Sequence, residues 1–118
     1  TELLIGMQID QQFGFSITLG SGGIYTEIIE DRYILLFPIN ENMIKKAVEK
    51  LKIFQIIQGW RGSPKGDLDA LLKTVKAFVE FVESHYHNLL NVEINPLAVR
   101  PEGKGVMLLD ALVQIKEK

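Results

Sequence analysis
Three side chains near the end of the chain, Glu93, Asn95 and Asp110, have the types and spacing for chemistry on a divalent cation and the oxygens it binds. A proline disfavours helix in the residue before it. Asn95 in Val92-Glu93-Ile94-Asn95-Pro96-Leu97 is therefore expected to be extended, and β-branched Val92 and Ile94 suit a strand. Side chains alternate along a strand, which puts Asn91, Glu93 and Asn95 on one face and Leu90, Val92 and Ile94 on the other. After the turn Pro101-Glu102-Gly103-Lys104-Gly105, residues 106–115 form a second apolar run interrupted by Asp110. An even number of unpaired loop residues brings Asp110 to the face of Asn95, whereas an odd number without a bulge separates them.

A lone carboxylate among Val106, Leu108 and Leu112 is costly unless it is hydrogen-bonded, protonated or bound to a cation. A carboxylate and an amide oxygen on neighbouring strands suit magnesium. This hard cation takes one or two protein oxygens and leaves its other positions to water and nucleotide phosphates. An Asp110 that accepts backbone bonds at a loop edge, beside a solvated Glu93 and Asn95, fits the same residues, and both readings stay open.

Two further stretches are candidates for meeting an anion. Glycines in Gly20-Ser21-Gly22-Gly23 let backbone N–H groups approach an anion closely, as in a nest. No Gly-Lys-Ser/Thr follows, and the next element reads as a strand, so a Walker-type loop is excluded; a plain tight hairpin is the other reading. Arg61, in Trp60-Arg61-Gly62-Ser63-Pro64, offers a guanidinium fork for carboxylate or phosphate oxygens, or a tie to a loop carbonyl. Trp60 reads as a core anchor.

The elements that must position these groups follow from periodicity. Leu3 to Ile9, Phe15 to Leu19, Ile24 to Ile29 and Tyr33 to Phe37 read as strands, with Glu30-Asp31-Arg32 as a charged turn. Asn40 caps a helix along which Met43, Ile44, Ala47, Val48 and Leu51 recur, and 53–57 reads as a short continuation stopped by Gly59. Asp67 opens a longer helix on which Leu68, Leu71, Leu72, Val75, Phe78, Val79 and Val82 form one stripe. Acids at Asp67 and Asp69 suit the positive end of that helix, and His85 and His87 read as surface residues. Four strands, two helical segments and two more strands predict an α+β fold, a largely antiparallel sheet with the two helical segments packed on one face. The opposite face is left to Glu93, Asn95 and Asp110.

The 118 residues fit one domain, with 47% hydrophobic and 24% charged residues. A net charge of −2 gives no broad basic field, which argues against nucleic acid and acidic membrane surfaces as partners. The absence of cysteine excludes disulfides and thiolate metal sites and agrees with a cytoplasmic setting. No run nears the roughly 20 apolar residues of a membrane helix, so a soluble chain without a membrane partner is expected. The chain does not begin with methionine and starts almost inside a strand, which suggests a piece of a longer polypeptide.

Glu93-Ile94-Asn95-Pro96-Leu97, followed by a hairpin and Leu109-Asp110-Ala111, resembles the end of the ATP-grasp domain of ADP-forming acyl-CoA synthetases. The succinyl-CoA synthetase β subunit is a more distant relative. The likeness runs in order through Glu2-Leu3-Leu4-Ile5-Gly6-Met7, Asp10, Phe13-Gly14, Gly20-Ser21-Gly22-Gly23-Ile24, Glu27, Pro38, Arg61-Gly62-Ser63-Pro64 and Asp67-Leu68-Asp69-Ala70-Leu71. It implies that residues 1–118 are the C-terminal subdomain of an ATP-grasp domain, with Mg²⁺ and ATP/ADP as cofactors. It further implies Asn95 and Asp110 as metal ligands, Glu93 and Arg61 as catalytic residues, and Gly20, Gly22 and Gly23 as phosphate-binding. The implied partners are CoA, a small carboxylic acid, and a CoA-binding domain or subunit that carries a phosphohistidine. On that basis the chain alone is expected to be inactive. Two alternatives remain: a different ATP-grasp carboxylate ligase, which would share the metal residues, and an interaction module that keeps the fold without the chemistry, which is suggested by Leu35 standing where related chains usually carry arginine.

Overall fold
A computed structural model describes residues 1–10, 14–22 and 30–117. The elements are β1 (Glu2–Asp10), β2 (Gly14–Ser21), β3 (Arg32–Leu36), α1 (Glu41–Lys50), α2 (Phe54–Ile57), α3 (Leu68–His85), β4 (Leu89–Val99), β5 (Val106–Leu108) and β6 (Ala111–Ile115). All strand pairs are antiparallel, in the order β3-β2-β1-β4-β5, with β6 also paired to β4. This is the expected α+β layer. The strand expected over 24–29 lies outside the described residues, and the single apolar run over 106–115 is two strands, parted at Leu109 and Asp110. Residues 53–57 do not continue α1. Phe54–Ile57 form the separate short helix α2, capped at Ile53, after a break at Leu51.

Alternation along the strands sorts the sheet into two faces. Leu3, Ile5 and Met7 of β1, Ile17 and Leu19 of β2, and Leu35 of β3 point to one side. There they pack with Ile44, Ala47 and Val48 of α1 and with Leu71, Val75, Phe78, Val79 and Val82 of α3. Burying each of these side chains other than Ala47 contributes about 1.5–3 kcal/mol, offset by the entropy of ordering the chain. Both helices start where expected. The Asn40 Oδ1 accepts from the Met43 N–H at 2.9 Å, and the Asp67 Oδ1 accepts from the Ala70 N–H at 3.1 Å.

Asp67 does more than cap α3. Its second oxygen accepts from the N–H groups of Gly105 at 2.9 Å and Gly103 at 3.2 Å, so it clamps the turn between β4 and β5 to the helix. These amides, that of Ala70 first and then that of Gly105, hold its carboxyl below the usual carboxylate range. Gly103 and Gly105 turn with φ of +85° and +83°, a region open to glycine.

The charged turn expected at Glu30-Asp31-Arg32 divides differently. Asp31 is buried and accepts from the Ser21 hydroxyl (2.9 Å) and from the N–H groups of Lys52 (2.7 Å) and Ile53 (2.9 Å), tying the end of β2 to the α1–α2 junction. Arg32 is the first residue of β3. Trp60 is no core anchor, since it is 49% exposed. Its loop turns outward through Arg61, at φ +50°, whose guanidinium carbon lies 5.5 Å from the indole centre. Among the described residues no helix is long and apolar enough to cross a membrane.

Candidate functional site
The face of the sheet away from the helices carries the polar residues. Its cross-strand rows can be followed from partner to partner. Ile34, Thr18, Gly6, Glu93 and Leu112 form one row across β3, β2, β1, β4 and β6, and Arg32, Gly20 and Leu4 start the next. Between Leu3↔Leu97 and Ile5↔Ile94, two residues of β4, Asn95 and Pro96, oppose Leu4 alone. Such a bulge re-aims side chains locally. Accordingly, the buried residues of β4 change phase there, from Val92 and Ile94 to Leu97 and Val99.

The turn over 100–105 has an even number of residues, and pairing keeps one count from Val92↔Val113 to Val99↔Val106. Asn95 is therefore the direct partner of Asp110, and the Asn95 N–H donates to the Asp110 carbonyl at 3.0 Å. Direct antiparallel partners share a face. Residues Leu4, Gly6, Gln8, Thr18, Arg32, Asn91, Glu93 and Asn95 surround a hollow of about 260 Å³, and the backbone of Asp110 runs opposite Asn95. An amide oxygen and a carboxylate at neighbouring strand positions are hard donors, the kind that magnesium takes in ones or twos. Among the described residues there is no group of three or more His, Asp and Glu able to hold a metal between them.

Asp110 is not enclosed by apolar neighbours, because Leu108, Leu109 and Leu112 around it are themselves about half exposed. Its availability to a cation thus rests on its position opposite Asn95, not on a desolvation penalty.

Arg61, Gly20 and Gly22 lie on other elements than this pair. Arg61 is on the outward loop after α2 and does not line the hollow. Gly20 belongs to β2, where a Cβ would come within 2.7 Å of the Asp31 carbonyl and 3.1 Å of the Arg32 Cγ. Gly22 lies against β1, where a Cβ would meet the Leu3 carbonyl at 2.4 Å, and its N–H donates to the Glu2 carbonyl at 2.9 Å. Gly23 lies outside the described residues. Leu35, at the position of the resemblance's arginine, pairs with Ile17 and is 3% exposed in the core, on the face opposite the hollow.

Two residues of the hollow escaped the sequence argument. Arg32 looked like part of a turn, although its alternation with Leu35 would have assigned its face once β3 was known to begin there. Thr18 is 3% exposed, and its hydroxyl is buried without a hydrogen-bond partner among the described residues. Leaving a hydroxyl so placed costs about 1–3 kcal/mol. A larger hollow of about 580 Å³, lined by Glu2, Ser21, Asp31, Lys52, Ile53 and Ile56 among others, contains an acid already hydrogen-bonded by three donors.

Comparison with known proteins gives a consistent picture. The family described as ATP-grasp domain matches residues 1–115. The acetate–CoA ligase [ADP-forming] II subunit beta of Pyrococcus furiosus is 30% identical over 115 residues, covering 98% of this chain and 49% of that protein. A crystal structure of a Pyrococcus horikoshii protein superposes with a TM-score of 0.91 at 30% identity, covering 99% of this chain and 49% of its own. The dinucleotide forming acetyl-coenzyme A synthetase 1 of Ca. Korarchaeum cryptofilum, in complex with coenzyme A, Ca-AMPCP and HgCl+, has a TM-score of 0.82 at 25% identity, over 98% of this chain and 49% of that one. The chain thus spans about half the length of these relatives.

Proposed function
We propose that this chain, which belongs to the ATP-grasp domain family, is the C-terminal subdomain, residues 1–118, of an ADP-forming acid–CoA ligase. The reaction is acid, CoA and ATP to acyl-CoA, ADP and phosphate, a reading supported by likeness to the Pyrococcus furiosus acetate–CoA ligase [ADP-forming] subunit. Its share is the sheet face that receives the nucleotide. Asn95 and Asp110 would hold Mg²⁺ by their side-chain oxygens, with Glu93 two residues before Asn95 on β4 to orient the phosphoryl-accepting group. Gly20, Gly22 and Gly23 would be the phosphate-binding glycines, and Arg61 would be a catalytic residue acting from its own loop. A bound Mg²⁺ neutralises charge on phosphate oxygens as the phosphoryl group moves. The histidine that accepts it, the CoA site and the acid site belong to a further domain or subunit, and the whole works in the cytoplasm.

The observation that carries this reading is the unbroken pairing count that makes Asn95 and Asp110 partners beside Glu93. The test is turnover by the full-length polypeptide supplied with acetate, CoA and MgATP, following ADP and acetyl-CoA. Activity is expected to vanish with a chelator. It should fall at least about 100-fold in Asp110→Asn, the upper end of what even indirect metal contacts cost, and be absent from the 118-residue chain alone. Formation of AMP, or turnover with amines in place of CoA, would assign a different ligase.

A further inference from the structure
Arg32 presents a guanidinium to the polar face of the sheet, at the rim of the hollow. It pairs with Gly20, and its stem crosses the space that a side chain there would fill. The ion pairs among the described residues are Lys73–Asp69 and Lys76–Glu41, so no described acid claims it. In the adjoining row is Thr18, with its buried, unpartnered hydroxyl, and next to Thr18 is Gly6, which leaves the floor of the hollow open. A rigid fork of charged donors together with one hydroxyl donor matches a group with several anionic oxygens, and phosphate is the best fit. Asn95 lies on the other side of the hollow, three strand spacings from Arg32, or about 14 Å between backbones. Position 35 faces the core, so a guanidinium there is turned away from this hollow.

We infer that Arg32 and Thr18 form a second phosphate contact, gripping the nucleotide's phosphate chain from the β3 side while Asn95 and Asp110 face it from the β4 side. This rests on the nucleotide-binding reading above. It predicts that affinity at this side depends on the phosphates and not on the nucleoside.

The experiment is calorimetric titration of the full-length polypeptide and its Arg32→Gln, Arg32→Lys and Thr18→Val variants with MgATP, MgADP, adenosine and inorganic phosphate. Arg32→Gln should weaken MgATP and MgADP by about 10-fold or more, with adenosine unchanged, and Arg32→Lys should recover part of the loss. Thr18→Val should weaken both nucleotides by about 3-fold or more without lowering the thermal midpoint, which separates a lost contact from a damaged fold. MgATP binding within about twofold of the parent in both Arg32→Gln and Thr18→Val overturns the contact, as does an equal loss for adenosine. A loss seen with inorganic phosphate alone overturns its assignment to the nucleotide. If the parent binds neither nucleotide, the nucleotide reading falls and this contact with it.

Discussion

On the helix side of the sheet, Leu3, Ile5, Ile17, Leu19 and Leu97 have no accessible surface, while on the other side the same strands present Gly6, Thr18, Arg32, Glu93 and Asn95 around an open hollow. The first set is interchangeable in kind: any well-packed aliphatic group of similar volume serves. The second set contains a glycine that lines the hollow, a hydroxyl with no described partner and a guanidinium with no described acid. A protein keeps such groups, against their cost in stability, where a ligand completes them. The acids divide the same way. Asp31 and Asp67 each accept from three described donors, whereas Glu93 lines the hollow and Asp110 lies opposite Asn95, between β5 and β6.

This contrast can be broken by measurement. Leu71→Ala, at a fully buried position of α3, should destabilise the protein by about 2–5 kcal/mol in urea unfolding, with any loss of nucleotide binding recovered at lower temperature. A cost below about 1 kcal/mol would mean that the helix layer does not seal the core as described. Thr18→Val should do the reverse and raise stability by about 1 kcal/mol, because it replaces an unpaired buried hydroxyl with a methyl group. A loss of stability there would show that the hydroxyl is satisfied in solution and would blur the distinction between the faces.

The smallest effect concerns Asp67 and has a definite sign. Its folded-state pKa lies below the ordinary value, so its contribution is fully present above about pH 4 and disappears as pH falls through the lower folded value. The stability difference between the parent and Asp67→Asn should therefore be constant near neutrality and shrink below about pH 4. An equal difference at pH 7 and pH 2 would place the effect in packing instead of charge.

Much of the core-facing side was legible in the sequence. The stripe from Leu68 to Val82 and the caps Asn40 and Asp67 follow from local periodicity and from side-chain oxygens near free helix N–H groups, which need no knowledge of distant residues. The polar face was legible only in part. Whether Asn95 meets Asp110 depended on a loop count that the residues allowed but did not decide. Arg32 was hidden because a charged triplet reads as a turn until the first residue of the strand is known, and a shift of one position reverses every side chain. Trp60 and the run around Asp110 misled for a related reason. Hydrophobicity records that a group prefers cover without saying which part of the molecule supplies it, and Ile115 at 65% exposure is the plainest example.

The clamp that Asp67 places on Gly103 and Gly105 gives the turn between β4 and β5 almost no slack. One residue added or deleted there would act as a frameshift written in space. Leu109 or Ala111 would slide to the place opposite Asn95, and the acid would be lost from the site although its codon was untouched.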